Sequence, residues 1–405
     1  MNHSRDQLPV ATLDKAKFRQ LRMALAVYRA GRFSRASDQL GVTQPAVTRA
    51  VAQLEAALGF ALFERTTSSV RITERGAVLL ERVAEAFASL AGTTGAQAER
   101  APLLQAGDHE FRALLAVHEH RSVARAAQSL GLSQPAVSKS LLTLERRVGE
   151  AFYDRLATGL VPRPKTHELV RRIKLAFSQL RQAEDDLFIL AGRRAGRLRI
   201  GALPLARSTL VPLAVIDTIE QFPAADITVI DGTYDTLVSS LRDGDIDVVV
   251  GSIREQAEAS DLTSHTLFRD TLAVIAASGH PVAGTQPGLE QMAQYPWVLP
   301  VRGVPLRLQF EAMMAEAELA IGSGAISTDS TAVLRTTLLN SQRLGLASRY
   351  QVQHDVQLGL LTVVATPAST ITRTVGTTMR NGYRPTALGS AFLAALGVRA
   401  DSFRD

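Results

Sequence analysis

The stretch Ser34-Arg35-Ala36-Ser37-Asp38-Gln39-Leu40-Gly41-Val42-Thr43-Gln44-Pro45-Ala46-Val47-Thr48-Arg49 carries the local chemistry of two helices joined by a tight turn. Gly41 supplies the left-handed backbone that ends the first helix. Thr43 stands where a hydroxyl accepts the backbone N–H groups that open the second. Pro45 falls in the first helical turn, where its missing N–H is not needed. Upstream, apolar residues at helical spacing predict one more helix, so residues 18–30, 34–40 and 44–58 form a three-helix unit with a helix-turn-helix inside it.

The same unit occurs twice. Residues 35–65 lie on residues 125–155 without a gap, at an offset of ninety, and 13 of the 31 positions are identical. The matches include Leu40/Leu130, Gly41/Gly131, Gln44/Gln134, Pro45/Pro135, Val47/Val137, Leu54/Leu144, Glu55/Glu145 and Gly59/Gly149. Upstream, Leu25-Ala26-Val27 stands opposite Leu115-Ala116-Val117, and the turn recurs as Gly131-Leu132-Ser133-Gln134-Pro135. Two copies are too few for a solenoid.

Downstream of the first copy, Leu62-Phe63-Glu64-Arg65, a polar loop over 66–69 and Val70-Arg71-Ile72 read as a wing. Arg65 and Arg71 on such a wing lie beside phosphates. The exposed face of the third helix carries Gln44, Thr48, Arg49 and Gln53, with Thr43 and Pro45 at its start. Amide and guanidinium groups there match adenine and guanine edges in the major groove. The second copy offers Ser133, Gln134, Pro135, Ser138 and Lys139, with Arg155 in the place of Arg65. Lys139 is a point charge where Arg49 is a fork. Val161, Pro162 and Arg163 replace Arg71, Ile72 and Thr73, Pro164 follows, and Gly76 becomes Thr166. Those prolines argue against a paired second wing. The first copy is therefore expected to contact DNA, and the second either to contact it or to serve packing and spacing.

Charge agrees with a polyanionic partner. Residues 1–200 hold 31 Lys/Arg against 19 Asp/Glu, whereas residues 201–405 hold 14 against 20. A solvated three-helix bundle would explain one helix-turn-helix pattern, but two on a basic half favour nucleic acid.

Together with Leu54-Glu55, Leu62-Phe63-Glu64-Arg65 and Ile72-Thr73-Glu74-Arg75-Gly76, the opening stretch resembles the DNA-binding domain of LysR-type transcriptional regulators. That family usually has one such domain, and this chain has two. Further motifs of the resemblance are Leu198-Arg199-Ile200-Gly201, Leu241-Arg242-Asp243-Gly244-Asp245-Ile246-Asp247 and Gly279-His280-Pro281, so that it runs from Phe18 to about Leu396.

From Pro164, Leu169, Ile173, Ala176, Leu180, Ala183, Leu187 and Leu190 alternate spacings of four and three, a heptad seam that points to self-association. The resemblance implies the same, since the family's linker helix forms dimers. Leu80, Val83, Phe87 and Leu90 make a shorter version after the first copy, and residues 92–107 read as a flexible connection. Beyond residue 196 short β-rich runs alternate with amphipathic helices. Strands are expected near 198–201, 227–230 and 246–251, helices near 211–222 and 237–241, and residues 267–276, 297–301, 332–339 and 361–364 extend the pattern. This βαβ order favours a parallel sheet covered by helices.

The expected fold is thus multi-domain. A winged helix-turn-helix over 16–75 is followed by a short linker helix and connection over 76–107 and a second helix-turn-helix over 108–163. A coiled-coil linker helix over 164–195 then leads to an α/β domain over 196–400, which the resemblance implies is the family's two-lobed effector domain, like periplasmic solute-binding proteins. Ligands in such folds sit between the lobes, at strand ends and helix starts. By that logic and the family's pocket positions, Pro204, Ser208, Thr209, Thr233, Ser252, Ser330 and Thr331 are effector-site candidates, and Arg302 could hold an anionic ligand's carboxylate. Residues 372–376 with Arg384-Pro385-Thr386 resemble the subgroup that controls sugar or aromatic-acid uptake and catabolism. The resemblance further implies double-stranded promoter DNA, a homo-dimer or tetramer and RNA polymerase as partners.

Other chemistry finds no support. The 405-residue chain lacks cysteine, which removes disulfides, thiolate metal sites and a cysteine nucleophile. Asp243, Asp245 and Asp247 alternate as in a calcium loop but lack its closing glutamate, and His118 and His120 point to different sides of a helix. No cofactor or metal is expected, nor catalytic residues. Apolar runs are too short to span a membrane, and residues 1–15 lack the apolar segment of a signal peptide, so a cytoplasmic protein is expected. A stand-alone solute-binding protein and an enzyme on the two-lobed fold are the alternatives.

Overall fold

A computed structural model describes residues 17–65, 70–92, 101–157, 159–254, 261–365 and 372–401. The chain divides into two compact units, Met1–Arg197 with Asp243–Asp245, and Leu198–Arg242 with Ile246–Asp405. The reading of residues 1–15, the wing loop 66–69 and most of the connection after Gly92 lie outside the described residues.

The N-terminal unit repeats one order of elements. The first copy comprises α1 (Phe18–Ala30), α2 (Phe33–Leu40), α3 (Gln44–Leu58), β1 (Phe63–Arg65), β2 (Val70–Ile72) and α4 (Glu74–Ala91). The second comprises α5 (Asp108–His120), α6 (Val123–Leu130), α7 (Gln134–Val148), β3 (Tyr153–Leu156), β4 (Gly159–Pro162) and α8 (Pro164–Leu190). Gly41 and Gly131 take φ of 64° and 65° between the second and third helices of each copy, the left-handed turn that the sequence requires there.

Each wing is anchored by the glutamate of the repeated Leu-Glu pair. Glu55 Oε1 accepts the amides of Leu62 at 2.7 Å and Phe63 at 3.2 Å, and Glu145 Oε1 accepts that of Phe152 at 2.8 Å. Both wings are paired antiparallel ribbons, Phe63 opposite Ile72 in the first and Tyr153 opposite Pro162 in the second. The second wing thus corrects the expectation drawn from its prolines. Pro162 sits at the end of a two-stranded ribbon, where its missing N–H interrupts no inner ladder, and the next amide, that of Arg163, donates to Phe152 O at 2.9 Å. A Cβ on Gly76 would strike the carbonyl of Leu62. Thr166 at the equivalent place instead donates its hydroxyl to Phe152 O at 2.5 Å.

The two copies do not have separate cores. One apolar cluster takes in Leu21 and Leu54 of the first copy, Phe111 and Leu144 of the second, Val83, Phe87 and Leu90 of α4, and Ile173, Ala176 and Leu180 of α8. Within the expected flexible connection, residues Pro102–Gln105 form a 3-10 turn that buries Leu103 and Leu104 in that cluster.

This arrangement corrects the dimerisation seam. Leu169, Ile173, Ala176, Leu180, Ala183 and Leu187 are all buried within one chain, because α8 packs along α4. An amphipathic stripe requires an apolar cover without specifying whose, and here α4 of the same chain supplies it. Arg82, only 4% exposed, adds polar contacts, its Nε to Asp186 at 2.9 Å and its Nη1 to Gln182 at 2.8 Å.

The C-terminal unit comprises β5 (Ala195–Ala202), α9 (Pro204–Ser208), α10 (Leu210–Gln221), β6 (Ala224–Asp231), α11 (Tyr234–Asp243), β7 (Val248–Ser252), β8 (Leu262–Ala277), α12 (Leu289–Ala293), β9 (Trp297–Leu299), α13 (Pro305–Glu316), β10 (Ile326–Ser327), α14 (Thr331–Leu339), β11 (Leu344–Ser348), α15 (Gln353–Gln357), β12 (Leu361–Ala365), β13 (Thr372–Arg380) and α16 (Ala387–Asp401). The sheet is mixed instead of parallel. β5 and β7 pair in parallel, as do β9 with β10 and β11, but β8 pairs antiparallel with β11, β12 and β13. βαβ order correctly foretells the parallel pairs, and the long β8 with the returning β13 breaks the pattern.

Separate apolar clusters mark two lobes. One gathers Leu198, Ile200, Val248 and Val250 with Phe392 and Leu396 of α16. The other gathers Val274, Trp297, Phe310, Leu344 and Leu346. β8 contributes to both, through Phe268 and Val274. Asp270 lies between these residues, 1% exposed, and accepts from Ser348 Oγ at 2.6 Å and Arg373 Nε at 2.7 Å, so one carboxylate ties β8, β11 and β13 together.

Candidate nucleic-acid interface and effector cleft

The third helix of each copy buries one stripe and exposes another. In α3, Val47, Val51, Leu54 and Leu58 face the core, while Gln44, Pro45, Arg49 and Gln53 are exposed and Thr48 is half-buried. In α7, Val137, Leu141 and Leu144 face inward, while Ser133, Gln134, Pro135 and Lys139 are exposed and Ser138 is half-buried. The sequence therefore named the exposed polar faces of both helices, and the spacing of three and four that buries the valines and leucines sets them outward.

The two helix starts differ. Ser133 caps α7, its hydroxyl accepting the amide of Ala136 at 3.4 Å. Thr43 has the extended backbone of a cap residue, φ −74° and ψ 146°, but its hydroxyl makes no capping bond, contrary to the expectation from sequence. Gln53 Oε1 accepts from Gln20 Nε2 at 3.2 Å, which steadies the middle of the exposed face.

On the wings, Arg71 is exposed on β2 opposite Glu64, and Arg65 ends β1 opposite Val70, its side chain lying outside the described residues. Arg155 is exposed on β3 opposite Leu160. Arg163 is turned to Asp154 of its own wing, Nη2 to Oδ1 2.7 Å. Val161, where the first copy has Arg71, is 41% exposed, and nearby Leu156 is 58% exposed. The second wing thus has a more apolar surface than the first.

Ionisable groups at the base of the second copy are shifted by burial. His118 packs edge-on to His167, ring centroids 5.0 Å apart. Desolvation first, then Arg121, His167 and Lys174, lowers its pKa to about 4. Asp185 of α8 is raised to about 6, chiefly by burial, with Arg197 opposing the shift.

In the C-terminal unit, two of the effector-site candidates meet. Ser208 Oγ lies 3.2 Å from Thr331 Oγ1, which also accepts from Gln351 Nε2 at 2.7 Å. Ser208 ends the short helix after β5 and Thr331 begins α14, so the pair joins one lobe to the other. Arg207, which the sequence reading missed, reinforces the same junction. Its guanidinium pairs with Asp231 at the end of β6 and donates to Asp329 O at 3.1 Å. No sequence signal finds this arginine, because its partners arrive from distant parts of the chain.

The remaining candidates divide. Pro204 opens α9, and half-buried Thr209 lies between α9 and α10. Ser252 ends β7 opposite Val375. Thr233 Oγ1 accepts the amide of Thr236 at 3.3 Å and lies 2.9 Å from its hydroxyl, the bonding of a helix start. Ser330 caps α14 through the amide of Val333 at 3.4 Å. Arg302 is exposed on the loop after β9 and does not join the Ser208–Thr331 junction. Close by Thr233, the Arg254 guanidinium stacks 4.1 Å from the Tyr234 ring centroid. The cluster of hydroxyls, a carboxamide and a paired arginine suits a polar, hydrogen-bonding ligand. Among the described residues no group of three or more His, Asp or Glu could hold a metal ion.

Comparison with known proteins fits both halves. The profile described as "Bacterial regulatory helix-turn-helix protein, lysR family" matches twice, over residues 18–77 and 109–164. "LysR substrate binding domain" matches over residues 191–400. The HTH-type transcriptional regulator GalR of Pseudomonas putida KT2440 is 32% identical over 381 residues, which is 93% of this chain and 96% of that protein. Among solved structures, a full-length OxyR from Pseudomonas aeruginosa aligns with a TM-score of 0.52 at 19% identity, over 72% of this chain and 97% of its own. Full-length CbnR in complex with its target DNA aligns at 0.51 and 15%, over 72% and 98%. These solved chains are covered almost whole while this one is not, as expected of a chain with one winged helix more. The chain is a member of the LysR family of transcriptional regulators, with that family's helix-turn-helix domain present in two copies ahead of its two-lobed substrate-binding domain.

Proposed function

We propose that this regulator binds double-stranded promoter DNA through Gln44, Thr48, Arg49 and Gln53 of α3, with Thr43, Pro45 and the wing arginines Arg65 and Arg71 on the flanking backbone. Ser133, Gln134, Pro135, Ser138, Lys139 and Arg155 hold the corresponding places in the second copy. The observation that carries this reading is the pair of helices whose amide and cationic residues stand exposed while their apolar stripe is buried. Such faces match base edges in the major groove.

The effector is a small polar molecule held between the lobes by Ser208, Thr331 and Gln351, with Pro204, Thr209, Thr233, Ser252, Arg302 and Ser330 further out. A ligand that favours one lobe arrangement over another shifts the DNA-bound population by its differential affinity. A sugar or aromatic acid fits the polar lining, and an oligomer working with RNA polymerase in the cytoplasm fits the family. No described helix is long and apolar enough to cross a membrane. The protein regulates and does not catalyse.

A DNase I footprint on the DNA upstream of its own gene tests this reading. Wild type gives a discrete protected stretch, and Gln44→Ala/Arg49→Ala loses it. Absence of protection even at low salt contradicts the proposal.

A further inference from the structure

The paired linker helices obey a two-fold relation inside one chain. The ninety-residue offset carries the buried residues of α4 onto those of α8, Leu79 onto Leu169, Val83 onto Ile173, Ala86 onto Ala176 and Leu90 onto Leu180. It also carries Arg82 onto Arg172 and Gly92 onto Gln182. Arg82 donates to Gln182, and the Arg172 guanidinium lies over Gly92, where a Cβ would collide with it. The first residue of each pair thus meets the second residue of the other. That reciprocity is the signature of an isologous, two-fold contact. It also fixes α4 and α8 as antiparallel, since the partner moves down α8 as the contact moves up α4.

Two further contacts lie near the axis. Phe18 and Asp108 are equivalent positions, and they touch, the Phe18 amide donating to Asp108 Oδ1 at 3.0 Å. Phe87 and Phe177 are likewise equivalent, and both stand edge-on to Phe18, at 6.0 Å and 5.5 Å. Equivalent residues can share a partner in this way only close to the axis that relates them. A two-fold axis between α4 and α8 relates α3 to α7 as well, so both recognition faces belong to one body with a dyad.

A dyad on the protein matches a dyad on the duplex, two half-sites in inverted order read by two helices. Here the two readers differ. Arg49 faces Lys139 across the relation, Gln53 faces Thr143, and Arg71 faces Val161, while Gln44 and Gln134 are the same. Both cations can bond guanine O6 and N7, but the planar guanidinium fork fixes the geometry of its two bonds, whereas the ammonium is a compact point charge with rotatable donors and discriminates less. From this we infer that one chain reads a two-part operator with unlike halves, a discriminating half under α3 and a more permissive half under α7. The inference rests on the DNA-binding reading above and adds what neither a single winged helix nor a symmetric pair would give.

The experiment selects binding sites from random duplexes with the full-length protein and with two variants, Gln44→Ala/Arg49→Ala and Gln134→Ala/Lys139→Ala. Wild type is expected to enrich two elements of different sequence in inverted order, always as unlike pairs. Each variant is expected to lose sequence preference at one element and keep it at the other, with binding to that pair weakened roughly tenfold to a hundredfold. Circular dichroism identical to wild type confirms that a variant is folded. Enrichment of two identical elements, or of a single element that the second variant still selects, overturns the inference while leaving DNA binding intact. Failure of folded wild type to enrich any sequence overturns the DNA-binding reading itself.

Discussion

At the scale of single residues, burial and the backbone decide more than residue type does. Glu55 and Glu145 are identical in the sequence and anchor equivalent wings, Glu55 accepting the amides of Leu62 and Phe63 and Glu145 that of Phe152. Gly76 and Thr166 differ and both fit, because Gly76 leaves room for the Leu62 carbonyl and the hydroxyl of Thr166 donates to the equivalent carbonyl of Phe152. His118 illustrates the electrostatic side. Its folded pKa of about 4 lies below the ordinary 6.5, so between those values the unfolded chain takes up a proton that the folded chain refuses. Stability is therefore lost as pH falls from about 6.5 to about 4. Asp185 works the other way, since its folded value of about 6 lies above the ordinary 3.8 and the folded chain binds that proton first. Denaturant melts of wild type and His118→Gln separate the two. The variant should lose less stability over that interval, and parallel profiles would refute the assignment.

At the scale of elements, the helix-turn-helix was legible because its signals are local. Gly41, Pro45 and the 3.6-residue spacing act within a few residues of one another, and α1 to α3 form where the sequence places them. The cover of the α8 seam was not legible. Ile173 and Leu180 advertise an apolar stripe, and only tertiary structure shows that Val83 and Phe87 meet it before a second chain can. The Arg207 junction escaped for the same reason, whereas Thr233 and Ser330 were visible as polar residues at helix starts and bond as caps. The shared core has a consequence for stability. Ile173→Ala removes a fully buried side chain and should cost about 2–5 kcal/mol. Amide hydrogen exchange should then rise in α1 and α3 as well as in α5 and α7. A rise confined to the second copy would mean that the copies have independent cores.

At the scale of the whole molecule, charge and fold agree. The basic residues concentrate in the first 200 positions, 31 against 19 acidic, and the two winged helices occupy that half. The remainder, with 14 basic against 20 acidic residues, folds as the two-lobed domain. The sequence alone indicated this division, because composition, repeat and βαβ order all change near residue 196. It did not indicate that two winged helices make one body, since pairing through α4 and α8 depends on contacts about a hundred residues apart. The most direct test of the account is the salt dependence of binding to the footprinted duplex, by fluorescence anisotropy. A protein that reads DNA from a basic two-headed unit releases counterions, so log affinity should fall linearly and steeply with log salt, at about 0.9 per phosphate contacted. Arg71→Ala should lower that slope by about one contact. An affinity that stays flat with salt would contradict the central claim that this unit holds DNA.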